Sequence, residues 1–463
     1  MSYNLGWVEN KYQEDGVAPR SRDKSPVSNI IKRGSIRDQN ATELQQIPPK
    51  RKGISWAEFV FQIFITIEGP AVFILPATFK NVGYLLGILG TVGIAIFYMY
   101  LMRILSWCDE YMQKKRKLKQ QSLYSLITNI FDEYKYPRVG SWLNFYLKYE
   151  IILSWTMGLS FGLFFANKNV QLILAYFHIQ TTDQFVLLIL SIPTMLICWF
   201  PHIQSIAFFS YFITIIIAAV MLEVMYYLLI NPVENPRVLM INDVSTLPDF
   251  LFMMFYVITY TALVFPLKLE MKYPSNLKKL FGGINLSIIL IAVLNIFFCL
   301  LVYFKLGDEV QDNILSNLPN NEIVLVTNCL FVVGLMGSGA LSFYLIFQTL
   351  WFDGWDSYFK KSNFVKFYEY VVRSMLGIFI IILAMVIPTF NLFINLISCF
   401  SYPYDSVLLP IILESVIVWN DKQNTTTAVL ILIKNITIGV LCVLACLLAF
   451  YISLLEILSV YQT

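Results

Sequence analysis

The chain has 463 residues, of which 57% are hydrophobic and only 14% charged, with a mean hydropathy of +0.66. That composition excludes an ordinary soluble domain and points to a polytopic membrane protein. Its 33 Lys and Arg against 30 Asp and Glu leave a net charge of +3, so the placement of the charges carries more information than their sum.

Residues 1–55 are polar and rich in Lys, Arg, Ser, Asn and Gln, with no apolar core of the kind a cleaved signal needs. They read as a disordered N-terminal tail, which leaves the first apolar segment to act as the targeting signal. Lys50, Arg51 and Lys52 beside that segment suit anionic headgroups. A plain basic anchor is one use of the tail, and regulation through Ser25, Ser28 or Ser35 is the other.

The first segment, Trp56 to Pro76, is interrupted by Gly69-Pro70 and again by Pro76. A helix that unwinds inside hydrocarbon frees backbone N–H and C=O groups, which is tolerated only where they face protein, water or a bound solute. A break at membrane depth therefore marks a transport site. Ten further segments have the roughly 20 apolar residues of a spanning helix or come close to it. They run from Tyr84 to Trp107, Trp142 to Ala166, Phe185 to Phe200, Ser205 to Ile230, Phe250 to Leu267, Gly282 to Phe304, Ile323 to Leu350, Val371 to Ile387, Phe390 to Trp419 and Ala428 to Leu458. Eleven spans put 25 of the Lys and Arg residues on one side and four (Lys80, Lys168, Arg237, Lys305) on the other. Basic loops stay in the cytoplasm, so the N-terminus is expected there and residues 459–463 on the opposite side.

If segments 1–5 and 6–10 are inverted repeats, segment 6 should be interrupted like segment 1. It carries Tyr256, Thr259, Tyr260 and Thr261, then Pro266, but no glycine. Two outcomes stay open: unwinding, or Thr hydroxyls bonded back to their own helix. The seven cysteines lie in or at the edges of segments with no metal-ligand spacing, and with two histidines and no HExxH, CxxC pair or P-loop the chain offers no soluble-enzyme chemistry. No catalytic residue, metal, cofactor or nucleic-acid partner is expected. Gly87, Gly90 and Gly93, like Gly334, Gly337 and Gly339, sit in apolar runs and are read as close helix contacts.

The run GPAVFILPATFKNVGYLLG followed by MYLMRILSWC resembles the opening signature of the amino acid/auxin permease family. FPLKLEMKYPSN (Phe265 to Asn276), VYFKLGDEVQDNILSNLP (Val302 to Pro319), IPTFNLFINLISCFS (Ile387 to Ser401), LLPIILE (Leu408 to Glu414) and the stretch from Ile433 to Ile457 narrow the resemblance to its proton-assisted amino acid transporter branch. The resemblance covers about Trp56 to Leu458 and implies an all-α membrane protein of eleven helices, a LeuT-like 5+5 inverted repeat plus one extra helix. It further implies carriage of small neutral amino acids such as glycine, alanine and proline, commonly with protons, at the plasma membrane or a lysosomal or vacuolar membrane.

The chain departs from that pattern at three places. The family's Gly-Thr-Gly of the first helix reads Gly69-Pro70-Ala71, the histidine seven residues earlier reads Gln62, and the sixth helix's Phe-Glu-Gly reads Ile258-Thr259-Tyr260. Glu68, beside the first break, is the compensating feature. An intramembrane carboxylate is a functional candidate by default; it substitutes as proton acceptor or ammonium partner, or else it pairs with Lys148 or caps freed N–H groups. Lys148 and Glu150 are expected near the cytoplasmic end of segment 3, Glu223 near the outer end of segment 5 in reach of water, and Asp405 and Glu414 around Pro410 in structural roles. Ser338 and Ser342 either line the cavity or bond between helices.

The expected function is thus secondary transport by alternating access, with segments 1, 2, 6 and 7 rocking against 3, 4, 5, 8, 9 and 10. Gly69, Pro70, Ala71, Thr259, Tyr260, Thr261 and Ser338 form the expected substrate site, and Glu68 is the proton-coupling candidate. The alternative is a non-transporting amino acid sensor on the same fold.

Overall fold

The structure, a computed structural model, describes residues 55–67, 70–118, 120–199, 203–231, 236–271, 282–319, 321–347, 349–351, 364–386, 403–421 and 425–462. All belong to one compact unit, Gly53–Thr463, and apart from Ser55 the predicted tail lies outside them. The described chain is helical almost throughout, as backbone in hydrocarbon must be when no water can satisfy its polar groups.

The first helix, α1 (Trp56–Ile67), starts on a reciprocal cap: the Ser55 N–H donates to Glu58 Oε2 at 2.6 Å and the Glu58 N–H to Ser55 Oγ at 3.2 Å. It ends at Ile67, a tight turn follows at Pro70–Phe73, and α2 (Leu75–Val82) completes the segment. Pro76, expected as a second interruption, sits instead in the first turn of α2, where its missing N–H deprives no helical carbonyl. The first span is therefore two half-helices around a single break, and it runs to Val82 rather than Pro76.

At Gly83 the chain turns into α3 (Tyr84–Arg116) with φ +87°, and a Cβ there would lie 2.7 Å from the Met240 carbonyl oxygen. The segment 239–243 crosses this corner, taking N–H bonds from Tyr84 and Leu85 and returning two, from Asn242 to Val82 and from Asp243 to Asn81. Close helix contact holds at Gly87 and Gly90, where a Cβ would meet the rings of Phe79 and Phe250 at 2.5 and 2.6 Å; Gly93 has nothing within 4 Å.

Where only a basic loop is expected, α4 (Leu123–Glu133) forms. Ser122 caps it by accepting the Ser125 N–H at 3.2 Å, and Leu123, Leu126, Ile127 and Ile130 make its buried stripe. Next, α5 (Pro137–Tyr176) runs 40 residues, overshooting the predicted third segment at both ends. Then come α6 (Asp183–Cys198) and α7 (Ile203–Ile230). The sixth segment splits into α8 (Leu247–Ile258) and α9 (Thr261–Glu270), so it does unwind. Beyond it lie α10 (Gly283–Leu306), α11 (Glu322–Phe347), α12 (Val365–Val386), a wide π-type turn at Tyr404–Leu408, α13 (Leu409–Asn420) and α14 (Thr425–Gln462).

Among the described residues, seven helical stretches are long and apolar enough to cross a membrane. The helices α1, α2, α3, α8 and α10 pack on one another, while α5, α6, α7, α11 and α12 form a second set of mutual contacts. Large apolar side chains such as Leu89, Ile96, Ile192, Leu222, Phe297 and Ile436 face outward, an arrangement suited to lipid rather than water.

Candidate functional site

The break between α8 and α9 is built without glycine. Thr259 and Tyr260 leave helical geometry, with φ/ψ of −91/135° and −151/33°. Thr259 stays tied to the preceding turn through both its N–H and its Oγ1, which donate to the Phe255 carbonyl at 3.1 and 2.8 Å. The Tyr260 N–H, which a continuous helix would use internally, donates to the Tyr98 Oη of α3 at 2.9 Å. The Tyr260 hydroxyl donates to the Ile284 carbonyl of α10 at 3.0 Å, and its ring stands edge-on to Tyr98. A side chain 162 residues away thus replaces the helical partner of a buried N–H, which would otherwise be left at a cost of about 1–3 kcal/mol.

From Tyr98 a file of hydroxyls leads away from the break. Tyr98 Oη lies 3.2 Å from Thr261 Oγ1, Thr261 Oγ1 lies 3.0 Å from Ser406 Oγ, and Ser406 Oγ donates to Asp405 Oδ1 at 2.7 Å. Each hydroxyl has one proton to give. Because Ser406 gives its proton to Asp405, Thr261 must donate to Ser406, and Tyr98 to Thr261. All bonds therefore run one way, from the Tyr260 N–H to the Asp405 carboxyl group. Met102 Sδ, 3.7 Å from Thr261 Oγ1, is a weaker competitor for the same proton. Asp405 also accepts the backbone N–H groups of Ser406 and of Ala262, the latter in the first turn of α9. Its carboxyl group therefore sits where the positive end of the second half-helix points. Tyr98, Thr261, Ser406 and Asp405 are all buried.

Glu150 faces this cluster from α5. It lies thirteen residues, about 20 Å, from the start of that helix. Ser154 Oγ donates to its Oε1 at 2.7 Å, its carboxyl group interacts electrostatically with Asp405, and its Oε2 is buried with no hydrogen-bond partner among the described residues. Tyr404 bonds the Leu143 carbonyl and packs edge-on against Tyr146, closing the cluster on its far side.

The expected site residues divide. Thr259, Tyr260 and Thr261 come together at the second break, all buried. At the first break Ala71 is buried and Pro70 begins the tight turn, while Glu68 and Gly69 lie outside the described residues, as does the side chain of Gln62. Ser338 is half-buried and donates to the Leu335 carbonyl of its own helix, and Ser342 does the same to Ser338. Glu223, expected to reach water, accepts the Thr327 hydroxyl of α11, with its other oxygen buried. Glu414 holds Lys434 at 2.9 Å, in keeping with a structural role. Tyr98, Ser406, Asp405 and Glu150 are the members of the cluster that sequence reasoning missed or ranked low.

The two ends of the fold differ. At one, Lys268 of α9 and Asp109 of α3 make a buried ion pair, with Gln113 and Gln121 amides on Asp109 at 2.8 and 3.0 Å. Nearby, Tyr111, Lys115 and Tyr134 converge on Asp421. At the other end, a cavity of about 750 Å³ is lined by Lys80, Lys168, Gln171, Asp308, Glu309 and Asn313 among others. None of the described residues of either break lines it. Among the described residues no group of three or more His, Cys, Asp and Glu is placed to hold a metal ion.

The family described as transmembrane amino acid transporter protein matches residues 52–455. The chain is 21% identical over 359 residues to the proton-coupled amino acid transporter-like protein pathetic of Drosophila melanogaster, covering 76% of this chain and 74% of that protein. It is 25% identical over 350 residues to amino acid transporter AVT3A of Arabidopsis thaliana, covering 73% and 75%. Among solved structures, MhsT in complex with L-phenylalanine aligns with a TM-score of 0.47 at 11% identity, covering 87% of this chain and 99% of that one.

Proposed function

Since the chain belongs to the transmembrane amino acid transporter family, we propose that it is a secondary carrier of small neutral amino acids of the alanine, glycine and proline type, driven by protons and working by alternating access. The observation that carries the reading is the glycine-free break at Thr259–Tyr260, held open in the interior by Tyr98 of α3. Broken helices inside hydrocarbon make sense where freed backbone groups meet a solute. In this reading the substrate lies between Gly69, Pro70 and Ala71 on one wall and Thr259, Tyr260 and Thr261 on the other, with Ser338 from α11. Its carboxylate meets N–H groups at the start of the turn after Gly69. Its ammonium meets Glu68 and the Ile258 carbonyl, whose helical donor, the Ala262 N–H, is turned to Asp405. An aromatic ring such as that of Tyr260 at the site favours substrates with small side chains.

The two sets of mutually packed helices support a bundle of spans 1, 2, 6 and 7 moving against the remainder, as an eleven-span, LeuT-like 5+5 arrangement with one extra helix requires. The basic side is taken as cytoplasmic, with the 1–55 tail there, in a plasma or lysosomal/vacuolar membrane. The test is exchange: purified protein in liposomes loaded with unlabelled alanine should trap labelled alanine, with competition by glycine and proline and none by large or charged amino acids. Competition by leucine or lysine as strong as by glycine would refute the small-substrate assignment.

A further inference from the structure

We propose that Glu150 and Asp405 together form the proton site of this carrier, holding one proton between them, with Glu150 as the group that takes it up and gives it back. The inference rests on the carrier reading above and names a residue pair for its coupling.

Both carboxyl groups are buried, Glu150 at 6% and Asp405 at 4% exposure, and they interact electrostatically where α5 meets the π-type turn, the two elements being joined by Tyr404 on the Leu143 carbonyl and against Tyr146. Among the described residues neither joins an ion pair; Lys148, two residues before Glu150, has an interaction of its own, and Lys268 and Lys434 are held by Asp109 and Glu414. The other titratable groups around the pair are Tyr98 of α3, Tyr146 on the same helix as Glu150, Tyr404 beside Asp405, and Cys446 of α14 behind Tyr146. None of these is a base that could take a carboxyl proton. Two like charges enclosed together, with no cation paired to either among the described residues, repel each other and favour uptake of a proton.

The surroundings decide which of the two keeps its charge. Asp405 accepts one hydroxyl and two backbone N–H groups, one of them at the N-terminus of α9, all of which favour a carboxylate. Glu150 accepts one hydroxyl only, and its Oε2 is the orphaned oxygen. A buried acceptor without a donor calls for an explanation, and a proton carried on that oxygen supplies one. Uptake converts the pair from two negative charges to one; release restores the second charge beside Asp405. The consequence reaches the substrate region along Ser406, Thr261 and Tyr98, because Asp405 terminates the donor file that begins at the Tyr260 N–H. A change at the pair therefore biases the break in the sixth span, and linkage makes the bias reciprocal.

Infrared spectra of the purified full-length protein in lipid, recorded between about pH 5 and 9, test the pair without any substrate. A protonated-carboxyl band that appears towards low pH is expected, removed by Glu150→Gln, appearing only at lower pH in Asp405→Asn, and kept in Glu68→Gln and Glu414→Gln. Ser154→Ala, which retains both carboxyl groups and removes the hydroxyl on Glu150, should move the frequency of that band. It keeps the proposal testable if the two charge-removing variants do not fold. No such band in the wild type, its survival in Glu150→Gln, an unchanged pH of appearance in Asp405→Asn, loss with Glu68→Gln instead, or an unmoved frequency in Ser154→Ala would overturn the proposal. In liposomes, Glu150→Gln should lose alanine accumulation driven by a proton gradient; accumulation driven by sodium in the wild type would also overturn it. Failure of alanine exchange in the wild type refutes the carrier reading separately, since the infrared band requires no transport.

Discussion

Removing one partner of the Lys268–Asp109 pair should be among the costliest substitutions in the protein. The side chains are 7% and 0% exposed, so neither charge has water to fall back on. Replacing Asp109 with Leu takes away the carboxylate that neutralises a buried ammonium and strands the Gln113 and Gln121 amides that donate to it. A loss of about 3–5 kcal/mol follows. Replacing Lys268 with Met leaves the carboxylate with both amide donors and should cost less, about 2–3 kcal/mol. The double variant Asp109→Leu/Lys268→Met exchanges the pair for apolar side chains of similar volume and should recover most of the loss, keeping a penalty of about 1 kcal/mol for the stranded amides. Denaturant unfolding of the four proteins in mixed micelles gives the coupling between the two sites, expected at about 2 kcal/mol or more. Single-variant losses that simply add up in the double variant would refute the reasoning, because they would show that the two charges do not depend on each other.

Tyr98→Phe keeps the ring contact with Tyr260 but strips the Tyr260 N–H of its acceptor and cuts the hydroxyl file. It should destabilise the protein by about 1–3 kcal/mol and depress alanine exchange, and Tyr98→Phe exchange equal to wild type would contradict the role given to it. Gly83→Ala puts a Cβ 2.7 Å from the Met240 oxygen at φ +87°, so a thermal midpoint lowered by several degrees, equivalent to more than about 1 kcal/mol, is expected. At the start of α6, burial pushes the Asp183 carboxyl up, but hydrogen bonds from Lys168 and Gln171 outweigh it and hold the group below the usual carboxylate range. A depressed carboxyl contributes stability above its unfolded value of about 4 and loses it as pH falls through the lower folded value. With side chains 32% and 49% exposed the pair is worth under about 1 kcal/mol. The stability gap between wild type and Lys168→Met should be small near neutrality and close on acidification; a gap that widens would reverse the assignment.

What the sequence disclosed follows from how local each signal is. Gly69-Pro70 announced the first break because both residues obstruct a helix wherever they fall. Pro76 misled for the same reason: proline interrupts a helix interior but is at home in a first turn, and which case applies depends on where the helix restarts. The capping pair Ser55 and Glu58 and the stripe Leu123, Leu126, Ile127, Ile130 behind Ser122 stand at i, i+3, i+4 spacing and are local signals of helix starts that the sequence reading did not include. The break at Thr259–Tyr260 showed only as a polar cluster, since its support comes from Tyr98, far away in the chain. Glu150 and Asp405 were visible as intramembrane carboxylates, but 255 residues separate them. No periodicity within either helix says that the two faces meet.

The measurement that tests the account most directly is uptake of labelled alanine, glycine and proline into proteoliposomes under an inward proton gradient, with a trapped pH indicator reporting proton entry. The account predicts accumulation above equilibrium that collapses when the gradient is dissipated, accompanied by acidification of the lumen on adding amino acid. Folded protein that binds alanine yet moves none of the three across the membrane would contradict it and favour a sensor built on the same fold.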